Sequence, residues 1–209
     1  METLILEACV ESFAESESAQ KKGAHQIELC DRLDLGGTTP SYELIRQAKN
    51  QLSLNVKVMI RPRGGNFTYT SDEFEQMKAD IQFCKSLYIY GVVFGILTPE
   101  QELDIPKIKE LAQLAAPMQV TIHRAIDETL DIEAAVKRLS ALPNVHCILS
   151  SGQAPTARAG ANTLRKMVAI AGNQLTIIPA GKITVENLPE LHKLVGSTTY
   201  HGTKIVGPL

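Results

Sequence analysis

Two stretches, Leu4-Ile5-Leu6-Glu7-Ala8-Cys9 and Gln26-Ile27-Glu28-Leu29-Cys30, decide how this chain is read, because each is an apolar run that ends on Glu-x-Cys. In an extended chain residues two apart share a face, so Glu7 sides with Cys9 and Glu28 with Cys30. A third run closes on Met59-Ile60-Arg61-Pro62-Arg63-Gly64-Gly65. Carboxylates, thiols and guanidinium groups thus collect at the ends of successive strands, where α/β proteins place their chemistry.

Working outward, short apolar runs recur near 3–9, 25–30, 55–61, 90–96, 118–124, 145–150, 175–180 and 199–206, with amphipathic helical segments between most of them. Such alternation implies a parallel sheet. Thr39 is placed to cap a helix whose first turn holds Pro40, Thr70 with Glu73 has capping-box spacing, and Gly23, Gly172 and Gly196 stand where helices should stop. Eight strand candidates favour a closed (β/α)8 TIM barrel over an open doubly wound sheet. After the last run only Gly207-Pro208-Leu209 remains, so the expected α/β barrel lacks its last outer helix. With no low-complexity linker and no internal repeat, the expectation is a single domain over residues 1–209.

Composition narrows the function classes. The 209 residues are 44% hydrophobic and carry a formal charge of −2, with no long basic run. Nothing here draws nucleic acid or an anionic membrane surface, and no apolar stretch approaches the roughly 18 residues of a spanning helix. A small ligand fits this surface better. Glu2 and Glu7 stand where a secretory signal would be basic and then apolar, and Cys9, Cys30, Cys84 and Cys147 are scattered through core-like segments. Both features point to a reduced, cytoplasmic protein.

In a barrel the first three strands are neighbours, so Glu7, Cys9, Glu28, Cys30, Arg61 and Arg63 face or rim one mouth. Buried charge needs a partner or a ligand. A purely structural alternative has Arg61 pairing with Glu7 or Glu28 to close the barrel top. His123 and Arg124 end the fifth strand with Asp127 three residues on, and His201 lies in the eighth strand, so both histidines are candidate acid–base groups or metal ligands. His25, His146 and His192 lack such company and read as structural or surface residues. The thiols of Cys9 and Cys30 would select Cu(I) or Zn(II), although two small core side chains would look the same in sequence; Cys84 and Cys147 read as packing. Pro179-Ala180-Gly181-Lys182 and His201-Gly202-Thr203 occupy the usual phosphate-loop positions of a barrel, and Ser150-Ser151-Gly152 offers hydroxyls to a small anion. No residue near Lys182 in sequence would lower its pKa for Schiff-base chemistry.

Glu7-Ala8-Cys9, the segment Gly23 to Cys30, Gly36-Gly37-Thr38-Thr39-Pro40-Ser41, Met59 to Gly65, Gly91 to Thr98, His123-Arg124-Ala125-Ile126-Asp127 and Ser151-Gly152-Gln153-Ala154-Pro155-Thr156 together resemble the CutC family, named for copper homeostasis, over essentially the whole chain. The resemblance implies a cytoplasmic TIM barrel that handles copper, with Cu(I) as cofactor or cargo on cysteines, here Cys9 and Cys30. Pro179-Ala180-Gly181-Lys182 and Gln153 depart from the family's glycine-rich turns and weaken a phosphate site. Two functions follow. One is Cu(I) binding by Cys9 and Cys30, with His201 as the candidate to complete a low-coordinate site. The other is an enzyme of proton-transfer, lyase or isomerase type acting on a small anion, with Arg61, Arg63, Ser151 and His201 binding, Glu7 or Glu28 removing a proton and His123 with Asp127 returning it. Homo-oligomerisation, most simply a dimer, would cover apolar surface left by the absent helix.

Overall fold

The computed structural model describes residues 4–209, so the readings made on Glu2 and on the first residue of the 3–9 run lie outside the described residues. Strands and helices alternate along the chain. β1 (Ile5–Val10), β2 (Gln26–Leu29), β3 (Asn55–Met59), β4 (Gly91–Phe94), β5 (Gln119–Ile122), β6 (Cys147–Ser150), β7 (Thr176–Pro179) and β8 (Thr199–Gly202) are separated by α1 (Phe13–Lys21), α2 (Tyr42–Gln51), α3 (Ser71–Ser86), α4 (Ile105–Ala115), α5 (Ile132–Ser140), α6 (Ala161–Ala171) and α7 (Leu188–Val195). Every adjacent pair of strands runs parallel, in the order β7-β6-β5-β4-β3-β2-β1-β8. This is the expected TIM barrel, and among the described residues no helix follows β8. None of its helices is long and apolar enough to cross a membrane.

β7 and β8 are the two ends of that order and share no regular ladder. Ser197 Oγ donates to the Ile177 carbonyl at one end of the seam, and a parallel bridge joins Thr184 to Lys204 at the other. Gly202 lets the chains come this close: a Cβ there would lie 2.5 Å from the Ile183 carbonyl oxygen.

The helices start and stop for local reasons. Thr70 and Glu73 form both halves of a capping box on α3. Gly172 and Gly196 end α6 and α7, both at positive φ. The expected cap at Thr39 shifts by two residues: Ser41 accepts from the Leu44 amide, while Thr39 Oγ1 accepts from the Arg61 amide at 2.8 Å. Thr39 is thus used to tie the β2–α2 loop to the end of β3, and the free hydroxyl nearest α2 becomes the cap. In α5, Ile132, Ala135, Val136 and Leu139 recur at helical spacing and are all buried.

Alternation along each strand divides the burial. Outward-facing Ala8, Val10, Ile27, Leu29, Val58, Phe94 and Ile122 join the large apolar core between sheet and helices. Among the described residues the bore holds two small apolar clusters, Cys9-Cys30-Met59-Val93 and Leu149-Ile178-Ala180, and is otherwise polar. The stability from apolar burial therefore resides chiefly in the outer layer, which leaves the bore free to carry chemistry.

Candidate functional site

Register sets the neighbours inside the bore. Glu7 lies opposite His201 of β8, Cys9 opposite Glu28 of β2, and Glu28 opposite Lys57 of β3. Paired residues present their side chains on one face, so these groups meet in the bore although their sequence separations reach 194 residues.

The deeper cluster centres on Glu7. Its Oε2 takes the Lys57 ammonium at 2.8 Å and the Gln26 side-chain amide at 2.6 Å, and its Oε1 lies 2.9 Å from His201 Nδ1. Lys57 Nζ also donates to Thr121 Oγ1 at 3.2 Å. Burial by itself would raise the Glu7 pKa, but Lys57 and His201 overcome it and pull the carboxyl down to about 2. Lys57, and not the expected Arg61, is therefore the cation that pairs with Glu7; Arg61 is turned to backbone carbonyls instead. A visible signal was the lone cation in Asn55-Val56-Lys57-Val58-Met59, which falls on the bore-facing parity of β3.

Above Glu7 the cluster changes character. Cys9 Sγ and Cys30 Sγ each lie 3.6 Å from Glu28 Oε2, and His201 Nε2 lies 3.7 Å from the same oxygen. Hydrogen bonding from Cys30 is the largest influence on Cys9, and with His201 it outweighs desolvation and draws the thiol down to about 5. Cys30, on the other side of that bond and deeply buried, is held well above its usual value. Desolvation raises Glu28 to about 8. Burial opposes charge on His201, yet Glu28, Cys9 and Glu7 push its pKa well above the ordinary range and favour the imidazolium.

These groups form the floor of a cavity of about 250 Å³ at the C-terminal mouth, with walls that include Leu33, Met59, Phe67, Leu149 and Ala180. Arg61 and His123 also line it. Arg61 spends its two terminal nitrogens on the carbonyls of Leu35, Gly37 and Gly65 and stacks over Phe67, but its Nε has no partner. His123 Nδ1 accepts the Ala125 amide at 3.2 Å, so in the neutral ring the proton sits on Nε2, which is also unpartnered. Burial and the Arg61 charge lower the His123 pKa to about 3 and keep the ring neutral. Gly95 makes room for it: a Cβ at that position would meet His123 Nδ1 at 2.6 Å.

The structure thus gathers Cys9, Glu28, Cys30, Arg61, His123 and His201 around one cavity, with Glu7 directly beneath. Arg63, Asp127 and Ser151 are not in its lining. Arg63 donates to Glu73 and to the Asn66 and Thr68 carbonyls, stapling the loop before α3. Asp127 accepts from the hydroxyls of Ser150 and Ser151 and from the Ser151 and Gln153 amides, and pairs with Arg124, clamping the loop after β6. The other histidines serve the frame: His25 Nδ1 accepts the Leu6 amide, His146 Nδ1 the Val120 amide, and His192 meets the Tyr200 hydroxyl.

Two groups of metal-competent atoms occur together here, Cys9-Glu28-Cys30 and Glu7-Glu28-His201, each with its ligand atoms within 4.8 Å of one another. Two sulfurs beside the Met59 thioether in one apolar cluster suit a soft, monovalent ion such as Cu(I).

The family model described as the CutC family matches residues 4–206. A CutC family protein of Chromobacterium violaceum is 40% identical over 199 residues, 95% of this chain and 80% of that protein. The human copper homeostasis protein cutC homolog is 37% identical over 197 residues, 94% of this chain and 72% of that protein. The crystal structure of the copper homeostasis protein CutC from Streptococcus agalactiae superposes with a TM-score of 0.92 at 32% identity, covering 97% of this chain and all of that one.

Proposed function

Because the chain belongs to the CutC family, we propose that it binds and handles Cu(I) in the cytoplasm, taking the ion as cargo at the mouth of the barrel. The observation that carries this is the placement of two sulfurs at equal distance from one Glu28 oxygen, one on β1 and one just past the end of β2, at the floor of an open cavity. Cys9 and Cys30 are the ligands in this reading. Cys9 is drawn toward the thiolate by its neighbours, and metal entry displaces the proton that Cys30 retains. That proton leaves through the open mouth, because Glu28, raised to about 8, already holds one of its own, and His201 balances the sulfur charge from the side facing β1. The names of the human and mouse relatives, both copper homeostasis protein cutC homologs, agree with this assignment.

The assembly in this reading is a homodimer. Val185 and Leu194, which are 48% and 42% exposed on the segments leading into β8, supply apolar surface for it. A strictly monomeric mass by sedimentation at physiological concentration rejects the dimer.

The test of the copper reading is an anaerobic Cu(I) titration against a competing chromophoric chelator. Loss of an outer-shell partner alone lowers metal affinity by about 10- to 100-fold, so removal of both ligands in the Cys9→Ser, Cys30→Ser variant is expected to cost at least about 100-fold. Affinity unchanged by the double substitution overturns the thiolate site.

A second reading has its own support in Arg61 Nε and His123 Nε2. Two unpartnered donors beside a carboxyl group suit an enzyme that holds a small anion and moves a proton with Glu28.

A further inference from the structure

Among the described residues only four buried side-chain nitrogen or oxygen atoms lack a hydrogen-bond partner, and three of them, Glu28 Oε1, Arg61 Nε and His123 Nε2, belong to residues lining the cavity at the barrel mouth. Folded chains satisfy nearly all such atoms, because an orphan forfeits its hydration without compensation. Three orphans on residues of one cavity lining, each atom itself all but closed to solvent, are therefore a pattern of unmet contacts, and their chemistry describes what meets them once the lining side chains turn toward a ligand.

Two of the three are donors. Arg61 Nε–H carries guanidinium charge, and His123 Nε2 bears the ring proton because Nδ1 is occupied by the Ala125 amide. Both require acceptor oxygens, and a carboxylate supplies two in one plane. The third, Glu28 Oε1, meets a hydroxyl or a keto oxygen equally well: ionised it accepts from the hydroxyl, and protonated it donates to the oxygen. Lys182 and Arg124 also line the mouth and favour an anion, while Leu33, Phe67 and Leu149 give it an apolar wall. Phosphate fits less well. It offers nothing to the apolar side.

We infer that this cavity is a binding site for a small hydroxy- or oxo-carboxylate, its carboxylate taken by Arg61 Nε and His123 Nε2 and its hydroxyl or keto oxygen by Glu28 Oε1. This deepens the enzymatic reading by naming its substrate class, and it draws on atoms other than the sulfurs. Wall area and depth limit the ligand to a compact acid, since the cavity is about 250 Å³.

The experiment titrates the metal-free protein with lactate, 2-oxobutyrate, 2-oxoglutarate and gluconate, with propionate and inorganic phosphate as controls, by calorimetry and by the imidazole Nε2 resonance of His123. At least one hydroxy- or oxo-acid is expected to bind at least fivefold tighter than propionate and phosphate and to shift that resonance. His123→Asn keeps an acceptor for the Ala125 amide and removes only the Nε2 donor, so it is expected to fold and to lose at least tenfold in affinity. Phosphate binding as tightly as the best organic acid, propionate binding as tightly as lactate, or no binding by any of the four acids overturns the site. Binding without turnover upholds the site and rejects only the enzymatic reading.

Discussion

The deep cluster around Glu7 and the mouth cluster around Glu28 are built from the same first three strands and β8, yet they are finished differently. Around Glu7 both carboxylate oxygens are engaged, with Lys57, Gln26 and His201 in place and Thr121 completing the lysine. Around Glu28, one oxygen is shared among two thiols and a histidine while the other has no partner, and Arg61 and His123 each keep a nitrogen unused. A satisfied buried network rigidifies a bore, whereas each unsatisfied buried group calls for an explanation, and the proposed ligand is one. The two layers teach that burial of charge is not by itself a functional signal. What distinguishes the mouth is unfinished hydrogen bonding on the residues that line an open volume.

That contrast is breakable. Lys57→Met should have the largest effect, because it leaves the Glu7 carboxylate buried without its main counter-charge; a loss of about 3–5 kcal/mol in chemical denaturation is expected. A loss below about 1 kcal/mol erases the distinction between the two layers.

At the mouth, His123→Asn should act through pH. The folded-state pKa of His123 is about 3, below the ordinary value of 6.5, so below pH 6.5 the unfolded chain takes up a proton that the native ring refuses. Wild-type stability therefore falls as pH drops from about 6.5 toward 3, and the variant lacks this loss. Relative to wild type the variant should gain about 2 kcal/mol between pH 7 and pH 5. Parallel curves would mean that the ring is not held neutral by its site.

The smallest effect sharpens the picture of the deep layer. Thr121→Val removes the hydroxyl that accepts from Lys57 at 3.2 Å but leaves the ion pair, so about 1 kcal/mol is expected at neutral pH, with Cu(I) affinity unchanged. An altered copper affinity would show that the two layers are energetically one.

The outline of the barrel was readable because strand parity and helix punctuation are local. Glu7 with Cys9, Glu28 with Cys30, the Thr70–Glu73 box and the terminating glycines each follow from residues a few positions apart. The gathering of Arg61, His123 and His201 with them also followed, once barrel order was assumed. The roles within that gathering were not readable. Arg63 and Asp127 have the right chemistry at the right strand ends, yet loop geometry turns them to Glu73 and to the Ser150–Ser151 segment. Lys57 is not legible as a bore residue from its type, because a lone lysine in a strand ordinarily reaches solvent; only closure of the bore denies it water.

By itself the sequence determined the alternation of strand and helix, the face on which each strand residue lies, and the set of polar groups available to the bore, since these depend on covalent spacing and backbone geometry. Only the tertiary structure decided which carboxylate is satisfied and which is left open. Hydrogen bonding is directional and exhausted by a few partners, and those partners come from strands as far apart in sequence as β1 and β8.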